Sequence, residues 1–301
     1  MATKIPHIVD ETELFFYPKS HRYARIDEMS GKTVWVPGVT SILSKNQDNL
    51  TQWAVDLTLE KLYDELKLGE LPEGSQYWWK LSRETSGSVG SAIHKIIQDA
   101  AEECIGRKME VPEITFDHAE KTFTDTMREE GRGTDVDLFE ESVNAIIDCS
   151  KNVASFFKHN EIIPLRGGIE VFVWYRDIES GIEYCGRADM FCMVNGIPTV
   201  LDIKTSKNVK INDFAQLAAY RLAQKNMKEL TKKLGKQFFY GNDYVDLAVL
   251  HIDHEKGSTA INRQELMFGK ENSKLAESIF LNAAHLKRLE KEAQRVTKMK
   301  Y

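Results

Sequence analysis

The dipeptide Asn195-Gly196 lies between two apolar segments rich in Val, Ile, Tyr and Phe, which are Ile182 to Val194 and Ile197 to Lys204. Asn-Gly is the strongest two-residue signal for a β-hairpin, because both residues accept the positive φ angles of a type I′ turn. A two-residue loop fixes the register of the flanking strands, and pairing outward from it places Asp189 directly opposite Asp202. The sequence therefore predicts two carboxylates on one face of a hairpin, with Cβ atoms roughly 4.5–5.5 Å apart.

Two facing carboxylates repel each other unless a positive charge lies between them, and a divalent cation would fill that role. The alternation of side chains along a strand places Lys204 on the same face as Asp202. The apolar neighbours of Asp189, Asp202 and Lys204 indicate a buried strand, where charges persist when they are paired or bind a metal. A purely structural Asp–Lys ion pair is the alternative interpretation. The opposite face of the strand is expected to contribute to the core through Ile197, Thr199, Leu201 and Ile203.

The preceding hairpin extends this row of acidic residues. Its turn lies at Glu179-Ser180-Gly181, and a loop centred on Glu179 and Ser180 places Glu170 opposite Asp189. Gly181 allows a different outcome, because a longer loop or a bulge there would shift the pairing by one residue and move Glu170 to the other face. The position of this third carboxylate therefore depends on the loop.

The second half of the chain, from Pro164 onward, reads as a β-meander followed by a helix, a strand and a closing helix. Asp213 is typical of an N-cap and predicts that the first of these helices begins at about Phe214. The predicted strands are Leu165 to Tyr175, Ile182 to Val194, Ile197 to Lys204 and Tyr244 to Ile252, and the predicted helices are about Phe214 to Leu234 and about Lys270 to Thr297.

The first half is predicted to be mostly helical after a short β lead-in. Strands Arg22 to Ile26 and Thr33 to Val36 are joined by a turn at Ser30-Gly31, and a helix follows from about Val39 or Thr40. Apolar residues at spacings of three and four predict further helices over Leu50 to Lys67, Ala92 to Glu103, Phe116 to Glu130 and Phe139 to Asn160. The expected fold class is α/β (α+β), a central mixed β-sheet flanked by helices plus a helical N-terminal part. We divide the chain into residues 1–160 and a core of residues 161–301.

Composition excludes several classes of protein. The 301-residue chain has 40 Lys and Arg residues against 46 Asp and Glu residues, a formal net charge of −6, so no general basic field indicates a nucleic-acid partner. A polyanion site must therefore be local. The absence of G-x-x-x-x-G-K-[ST] and G-x-G-x-x-G argues against a nucleotide cofactor. Its apolar runs are shorter than the roughly 18 residues of a membrane helix, and no signal-peptide pattern opens the chain, so we predict a cytoplasmic protein without a membrane partner.

Five short motifs occur in a specific order along the predicted elements. They are Val36-Pro-Gly-Val-Thr-Ser-Ile-Leu43, Gly90-Ser-Ala-Ile-His94 on a helix, Gly186-Arg-Ala-Asp189 and Leu201-Asp-Ile-Lys-Thr205 on strands, and Gln216-x-x-x-Tyr220 on a helix. In this order they resemble the PD-(D/E)XK nuclease superfamily, most closely its RecB-like, phage-type exonuclease branch. The resemblance covers about residues 23–252 and implies a restriction-endonuclease-like core.

The resemblance also implies roles for individual residues. It implies that a Mg²⁺ or Mn²⁺ ion is bound by Asp189, Asp202, the Ile203 carbonyl and His94, and that Lys204 is the catalytic lysine. Glu170 matches an acidic residue that often precedes the Asp in related nucleases, and Gln216 and Tyr220 match a helix motif that flanks the site. Taken alone, a single His beside Ile93 on a helix is more often a residue of the core. Gly90, one turn earlier, favours a role in the site, because a glycine permits close approach of the helix to the sheet or to a nucleic-acid backbone. Some relatives carry an iron–sulfur cluster held by late cysteines; here no cysteine follows Cys192, so we expect no such cluster.

The resemblance predicts a metal-dependent DNA exonuclease in DNA recombination, repair or phage DNA processing. The alternatives are an endonuclease with the same site and a nucleic-acid-binding protein that has lost turnover. The expected partners are DNA, single- or double-stranded and including its ends, and a recombination or replication protein.

Several residues outside the site are candidates for nucleic-acid binding. Lys207, Lys210 and Arg187 flank the predicted site, although ordinary solvated lysines are the alternative for the first two. Tyr77-Trp78-Trp79 would stack bases or pack a core. The closing helix would follow a DNA backbone or present a solvated charged face, and its basic residues are Lys287, Arg288, Lys291, Arg295, Lys298 and Lys300.

Overall fold

The computed structural model describes residues 5–9, 12–17, 20–27, 29–44, 78–132, 136–206, 208–233, 246–253, 258–263 and 274–298. Nine strands and six helices lie within these ranges. The strands are β1 (Ile5–Val9), β2 (Thr12–Tyr17), β3 (Arg22–Ile26), β4 (Thr33–Val36), β5 (Ile162–Asp177), β6 (Ile182–Val194), β7 (Ile197–Lys204), β8 (Asp246–Asp253) and β9 (Ser258–Arg263). The helices are α1 (Val39–Leu43), α2 (Trp78–Glu103), α3 (Phe116–Glu130), α4 (Val136–His159), α5 (Ile211–Lys233) and α6 (Leu275–Lys298).

A five-stranded mixed sheet in the order β5-β6-β7-β8-β9 forms the centre of the protein. The β5–β6, β6–β7 and β8–β9 pairs are antiparallel, and the β7–β8 pair is parallel. Helix α5 lies between β7 and β8 in the chain, as expected for a parallel connection that must cross over the sheet. The predicted mixed α/β architecture is confirmed at this level.

The β6–β7 hairpin has the predicted register. Asn195 and Gly196 have φ angles of 52° and 78°, the left-handed values of a type I′ turn. Pairing runs outward from Val194–Ile197 to Met190–Leu201. The paired ladder ends there, one residue before Asp189 and Asp202, which the same register would place opposite each other.

The β5–β6 hairpin also keeps its predicted register, because Val171 pairs with Ala188 and Ile169 pairs with Met190. Glu170 is therefore the residue opposite Asp189. The bulge that the sequence allows at Gly181 is absent from this hairpin, and the irregularity lies between Pro164 and Ile169 instead. At this point the strands approach so closely that a Cβ atom at Gly168 would lie 2.5 Å from the Phe191 carbonyl oxygen.

Two apolar clusters cover the two faces of the sheet. On one face, Val173, Tyr184, Phe191, Val200 and Val249 pack with α1, α5 and α6. On the other face, the sheet residues pack with α2, α3 and α4, and they include Ile162, Met190, Leu201, Ile203 and Leu250. Helices on both faces bury the central strands almost completely, which explains why β7 reads as a nearly continuous apolar run.

The N-terminal strands form a second, antiparallel sheet in the order β1-β2-β3-β4. The predicted strands β3 and β4 have their predicted bounds, and α1 begins at Val39 as predicted. Strands β1 and β2 were not predicted, because each owes its conformation to pairing with a neighbour along the sheet. The sheet is joined to the centre by a hydrogen bond of 3.0 Å from the Cys185 N–H to the Pro37 carbonyl, next to a parallel bridge between Gly38 and Cys185.

Other sequence predictions need correction. Helix α5 begins at Ile211, so Asp213 lies in its first turn rather than at its N-cap, where its carboxylate accepts the Lys210 N–H at 2.7 Å. Ile197 is 37% exposed and contributes little to the core, because it lies beside the turn. Strand β9 was not predicted, since it is a polar edge strand. The predicted helix over residues 50–67 lies outside the described residues. Among the described helices, none has the length and apolarity required to cross a bilayer.

Candidate active site

The site begins where β6 and β7 separate. Beyond the Met190–Leu201 pair, the Ile203 N–H donates to Asp189 Oδ2 at 2.8 Å, so a side chain takes the place of a strand carbonyl. Asp202 follows on the buried strand and is only 1% exposed at its side chain, against 14% for Asp189. The diverging strands thus hold two carboxylates close together with little access to water.

Lys204 supplies the positive charge next to this pair. Its Nζ atom lies 2.5 Å from Asp202 Oδ2 and donates to Gln216 Oε1 at 3.3 Å. Asp202 Oδ2 is buried, and no donor among the described residues is aligned on it for a hydrogen bond. We refer to Asp189, Asp202 and Lys204 as the Asp–Lys cluster.

Helix α5 supports the cluster from one face of the sheet. Gln216 Nε2 donates to Asp202 Oδ1 at 3.2 Å and to the Tyr220 hydroxyl at 2.8 Å. The two residues are one helical turn apart and therefore share a face of the helix. The Tyr220 ring reaches this position because residue 186 is glycine: a Cβ atom there would lie 2.5 Å from Tyr220 Cε1.

Helix α2 brings His94 to the cluster from the opposite face of the sheet. His94 Nδ1 lies 3.6 Å from Asp189 Oδ2, and the ring is hydrogen-bonded to the main chain of Ile203. The helix comes this close because residue 90 is glycine: a Cβ atom there would lie 2.6 Å from Thr205 Oγ1. Gly90 thus permits the close approach of α2 to the end of β7.

Glu170 lies beside the cluster but is directed to other partners. Its carboxylate is 2.6 Å from Arg187 Nε and accepts a hydrogen bond from Gln98 Nε2. Its φ angle of 52° is left-handed, a conformation that costs free energy in a residue other than glycine and that persists where the surroundings enforce it. The negative charge of Glu170 contributes to raising the pKa of Asp189.

Burial raises the pKa of both carboxyl groups of the cluster. The pKa of Asp202 rises to about 7 through burial and the charge of Asp189, partly offset by Lys204. The pKa of Asp189 rises to about 6 for the same reason, burial, again partly offset by Lys204. Burial lowers the pKa of Lys204, but the charges of Asp202 and Asp189 outweigh it and raise that pKa to about 12. One ammonium group therefore does not compensate two desolvated carboxylates.

Burial lowers the pKa of His94 to about 4, although the charge of Asp202 acts in the opposite direction. The imidazole is thus neutral near pH 7, and a neutral imidazole is the form that binds a metal. His94 is therefore able to offer a nitrogen ligand to a cation without adding a positive charge of its own.

The groups present fit a hard divalent cation. Asp189 and Asp202 supply carboxylate oxygens, and oxygen ligands suit Mg²⁺ and Mn²⁺. Within the described ranges, no three His, Cys, Asp or Glu side chains converge into a preformed ligand set. The set would be completed by the Ile203 main-chain carbonyl, because Ile203 directly follows Asp202 in the chain and its main chain is hydrogen-bonded to His94.

The structure describes only some of the other residues that the sequence predicts to contact nucleic acid. Arg187 is 44% exposed at its side chain, beside Glu170 and 5.5 Å above the ring of Phe16. Lys210 is exposed just before α5. Lys207 and Tyr77 lie outside the described residues, as do the side chains of Trp78, Trp79, Arg295 and Lys298, and all of Lys300.

Sequence reasoning missed Gln98, which holds the carboxylate of Glu170. The available signal was its spacing, because Gln98 follows His94 by four residues and so lies on the same face of α2. It also missed Thr205, whose hydroxyl faces Gly90 across the interface between α2 and the end of β7. Both contacts depend on the docking of α2 on the sheet.

A scan of protein-family models finds none that matches the chain, and a search of curated proteins finds no matching relative. The function of this site therefore has to follow from the chemistry of its own residues.

Proposed function

We propose that this protein is a metal-dependent exonuclease that hydrolyses phosphodiester bonds in DNA and that it belongs to the PD-(D/E)XK type. The observation that carries the proposal is the Asp–Lys cluster, in which two buried carboxylates and one lysine meet at the point where two central strands diverge. The mixed sheet with helices on both faces supports a restriction-endonuclease-like core.

Four groups would hold the cation: the carboxylates of Asp189 and Asp202, the Ile203 carbonyl and the His94 imidazole. A bound Mg²⁺ or Mn²⁺ ion supplies a Lewis acid that lowers the pKa of a water molecule and neutralises phosphate charge. The oxygen-rich set admits either ion, and the imidazole favours Mn²⁺.

The remaining groups act on the proton and the substrate. Hydrolysis adds a water oxygen to phosphorus, breaks one P–O ester bond and transfers a proton to the leaving oxygen. Lys204 is protonated at neutral pH and held by Asp202 and Gln216, so its ammonium group is positioned to stabilise the developing negative charge. Arg187, exposed beside Glu170, is placed to bind a neighbouring phosphate.

A purely structural ion pair explains these contacts less well. A stabilising buried pair needs excellent geometry and hydrogen bonds for the remaining lone pairs. Here both carboxyl groups have a raised pKa, although Lys204 Nζ lies 2.5 Å from Asp202 Oδ2. Such an arrangement costs free energy in the metal-free protein, which favours a role in binding a cation.

Digestion of defined DNA substrates tests the proposal. Linear and covalently closed circular DNA, each single- and double-stranded, would be incubated with the full chain and Mg²⁺ or Mn²⁺. We expect degradation of linear DNA and retention of closed circles, and no activity with EDTA. Asp202→Ala should abolish hydrolysis while the variant stays folded. Cleavage of closed circles would identify an endonuclease, and near-normal hydrolysis by Asp202→Ala would refute the assignment of the site.

A role in recombination, repair or phage DNA processing, together with a recombination or replication protein, belongs to the same proposal. An exonuclease of this type would supply single strands to such a partner.

A further inference from the structure

A groove of about 490 Å³ lies away from the Asp–Lys cluster, where the N-terminal sheet meets α6 and the first residues of β6. Its walls come from β3 and β4 on one side and from α6 on the other. The segment Gly181 to Glu183, at the beginning of β6, also lines it. We call this feature the basic groove.

The charges of the groove differ from those of the whole chain. Four cationic side chains line it, Arg22, Lys287, Arg288 and Lys291, together with two carboxylates, Glu183 and Glu290. Glu183 is already paired, because Arg25 Nε lies 2.8 Å from its carboxylate. In a protein with a formal net charge of −6, this local excess of cations is complementary to a polyanion.

The groove also has an aromatic wall. Trp35 is 45% exposed, although large aromatic residues are usually buried more completely. The guanidinium of Arg22 lies 4.7 Å from the centre of its ring, and the ring of Tyr17 lies at 5.3 Å. Cations combined with an exposed aromatic side chain are the features with which proteins hold single-stranded nucleic acid.

The groove is connected to the site along one strand. From Ile182 to Asp189 β6 advances seven residues, about 23 Å at the usual rise per residue. Arg187, beside Glu170, lies 5.5 Å above the ring of Phe16, and that ring lies 5.1 Å from Tyr23, which lines the groove. At about 3.4 Å per stacked nucleotide, the separation corresponds to roughly seven nucleotides.

We propose that the basic groove binds a single-stranded segment of the DNA substrate at a distance from the scissile bond, with Lys287 and Lys291 contacting phosphates and Trp35 contacting a base. The proposal rests on the proposed nuclease function and adds a substrate-binding site to it. Such a site would strengthen binding of strands long enough to reach from the Asp–Lys cluster to the groove.

Equilibrium binding of fluorescently labelled single-stranded DNA in EDTA, which prevents hydrolysis, tests the proposal. Each neutralised phosphate contributes about 0.7 to the slope of log affinity against log salt for single strands. Lys287→Gln/Lys291→Gln should therefore reduce that slope by about 1.4 for an oligonucleotide of about 20 nucleotides. An oligonucleotide of about five nucleotides spans less than the separation, so it cannot contact the Asp–Lys cluster and the groove at once and should bind the wild type more weakly than the oligonucleotide of about 20 nucleotides does.

Lys287 also contacts Ser41, so the double variant removes a contact with α1 as well as two charges. Lys291→Gln alone avoids this complication, because Lys291 is exposed, and should reduce the slope by about 0.7. Lys121→Gln removes the same charge from the exposed face of α3, on the opposite side of the sheet, and should leave the slope unchanged.

An unchanged slope in both groove variants, in a protein that binds and degrades DNA, would overturn the groove assignment and leave the nuclease proposal intact. Equal affinity of the wild type for the short and the long oligonucleotide would also overturn it. Competition by polyglutamate as effective as that by DNA would assign the groove to an acidic protein segment instead. A wild-type protein that neither binds nor degrades DNA would refute both proposals.

Discussion

Two clusters each combine one acid of strand β6 with a second acid and one base. They differ in the direction of the pKa shifts found in them. In the Arg25 cluster, Arg25 pairs with Glu183 at 2.8 Å and with Asp27 at 3.4 Å. Trp174 Nε1 also donates to Glu183, and Ser30 donates twice to Asp27, whose pKa is lowered. In the Asp–Lys cluster the pKa of both acids is raised, chiefly by burial.

The ratio of charges is the same in the two clusters, so it does not explain the difference. Asp27 is half-buried and Ser30 donates hydrogen bonds to its carboxylate, whereas Asp202 is almost fully buried beside a second carboxylate, Asp189. Solvation therefore distinguishes a cluster that stabilises the fold from one that is suited to bind a ligand.

The largest expected effect on stability comes from breaking the Arg25 cluster. Arg25→Ala leaves the partly buried Glu183 without its base and should lower the free energy of unfolding by about 3 kcal/mol. Urea denaturation in EDTA measures this change. Asp202→Ala, tested alongside, should be neutral or stabilising, because it removes a repelling carboxylate. Arg128→Ala, which breaks an exposed pair with Asp125, is the control and should cost less than about 1 kcal/mol. A strong destabilisation by Asp202→Ala would show that the Asp–Lys cluster is structural.

Lys204→Ala separates binding from turnover at the Asp–Lys cluster. An ammonium group does not coordinate a cation, so Mn²⁺ and DNA binding should be retained within a modest factor. The cleavage rate should fall by about 10²-fold, equivalent to about 2.7 kcal/mol of transition-state stabilisation. Lys151→Ala, at an exposed lysine of α4, should cleave normally. Collapse of metal binding, DNA binding and turnover together would identify Lys204 as a structural partner of Asp202.

Mn²⁺ should stabilise the folded protein by binding at the Asp–Lys cluster and not at the Arg25 cluster. A ligand at 100 times its Kd that binds only the folded state adds about 2.7 kcal/mol, measurable as a rise in Tm. Asp189→Asn should reduce this rise because it weakens one ligand. Asp27→Asn, in the Arg25 cluster, should show the wild-type rise. An equal rise in wild type and Asp189→Asn would place the metal elsewhere.

The two clusters should also respond oppositely to pH. In the folded protein, the pKa values of Asp189 and Asp202 lie at about 6 and about 7, above the ordinary value near 4 of an unfolded chain. The folded state thus holds more protons on these two carboxyl groups, while His94, whose pKa is lowered to about 4, offsets about half of the difference. Metal-free stability should therefore fall as pH rises from about 4 to about 7, by about 1 kcal/mol per pH unit at most. The lowered pKa of Asp27 contributes stability that is lost as pH falls. Urea titrations should show a shallower decline for Asp202→Asn and an unchanged decline for Asp27→Asn.

The core of the candidate site could be derived from sequence because its register is local. Asn195-Gly196 fixes the pairing of β6 with β7, and strand alternation then places Asp202 and Lys204 on one face. The same reasoning located Glu170 opposite Asp189, but it gave no indication of the left-handed φ angle or of the contact with Gln98. That contact depends on how α2 docks, which involves residues far apart in the chain.

The N-terminal sheet and the basic groove illustrate the same limit. Strands β1 and β9 carry weak local signals and are extended because a neighbour pairs with them. The groove exists because the N-terminal sheet and α6, from opposite ends of the chain, meet at the beginning of β6. The charges of the N-terminal sheet and of α6 can be read from the sequence. That the two elements lie side by side depends on the tertiary fold.

The close contact between Gly90 and Thr205 has a consequence for the order of events during synthesis. The groups of the candidate site extend along the chain from His94 to Tyr220, so most of the protein must leave the ribosome before they can meet. At about 5–20 residues per second, several seconds separate the emergence of the first group from that of the last. We expect every nascent chain and every fragment that ends before α5 to be inactive, which can be checked by assaying such fragments for nuclease activity. Under the proposed nuclease function, incomplete copies of the protein would therefore leave the DNA of the producing cell intact.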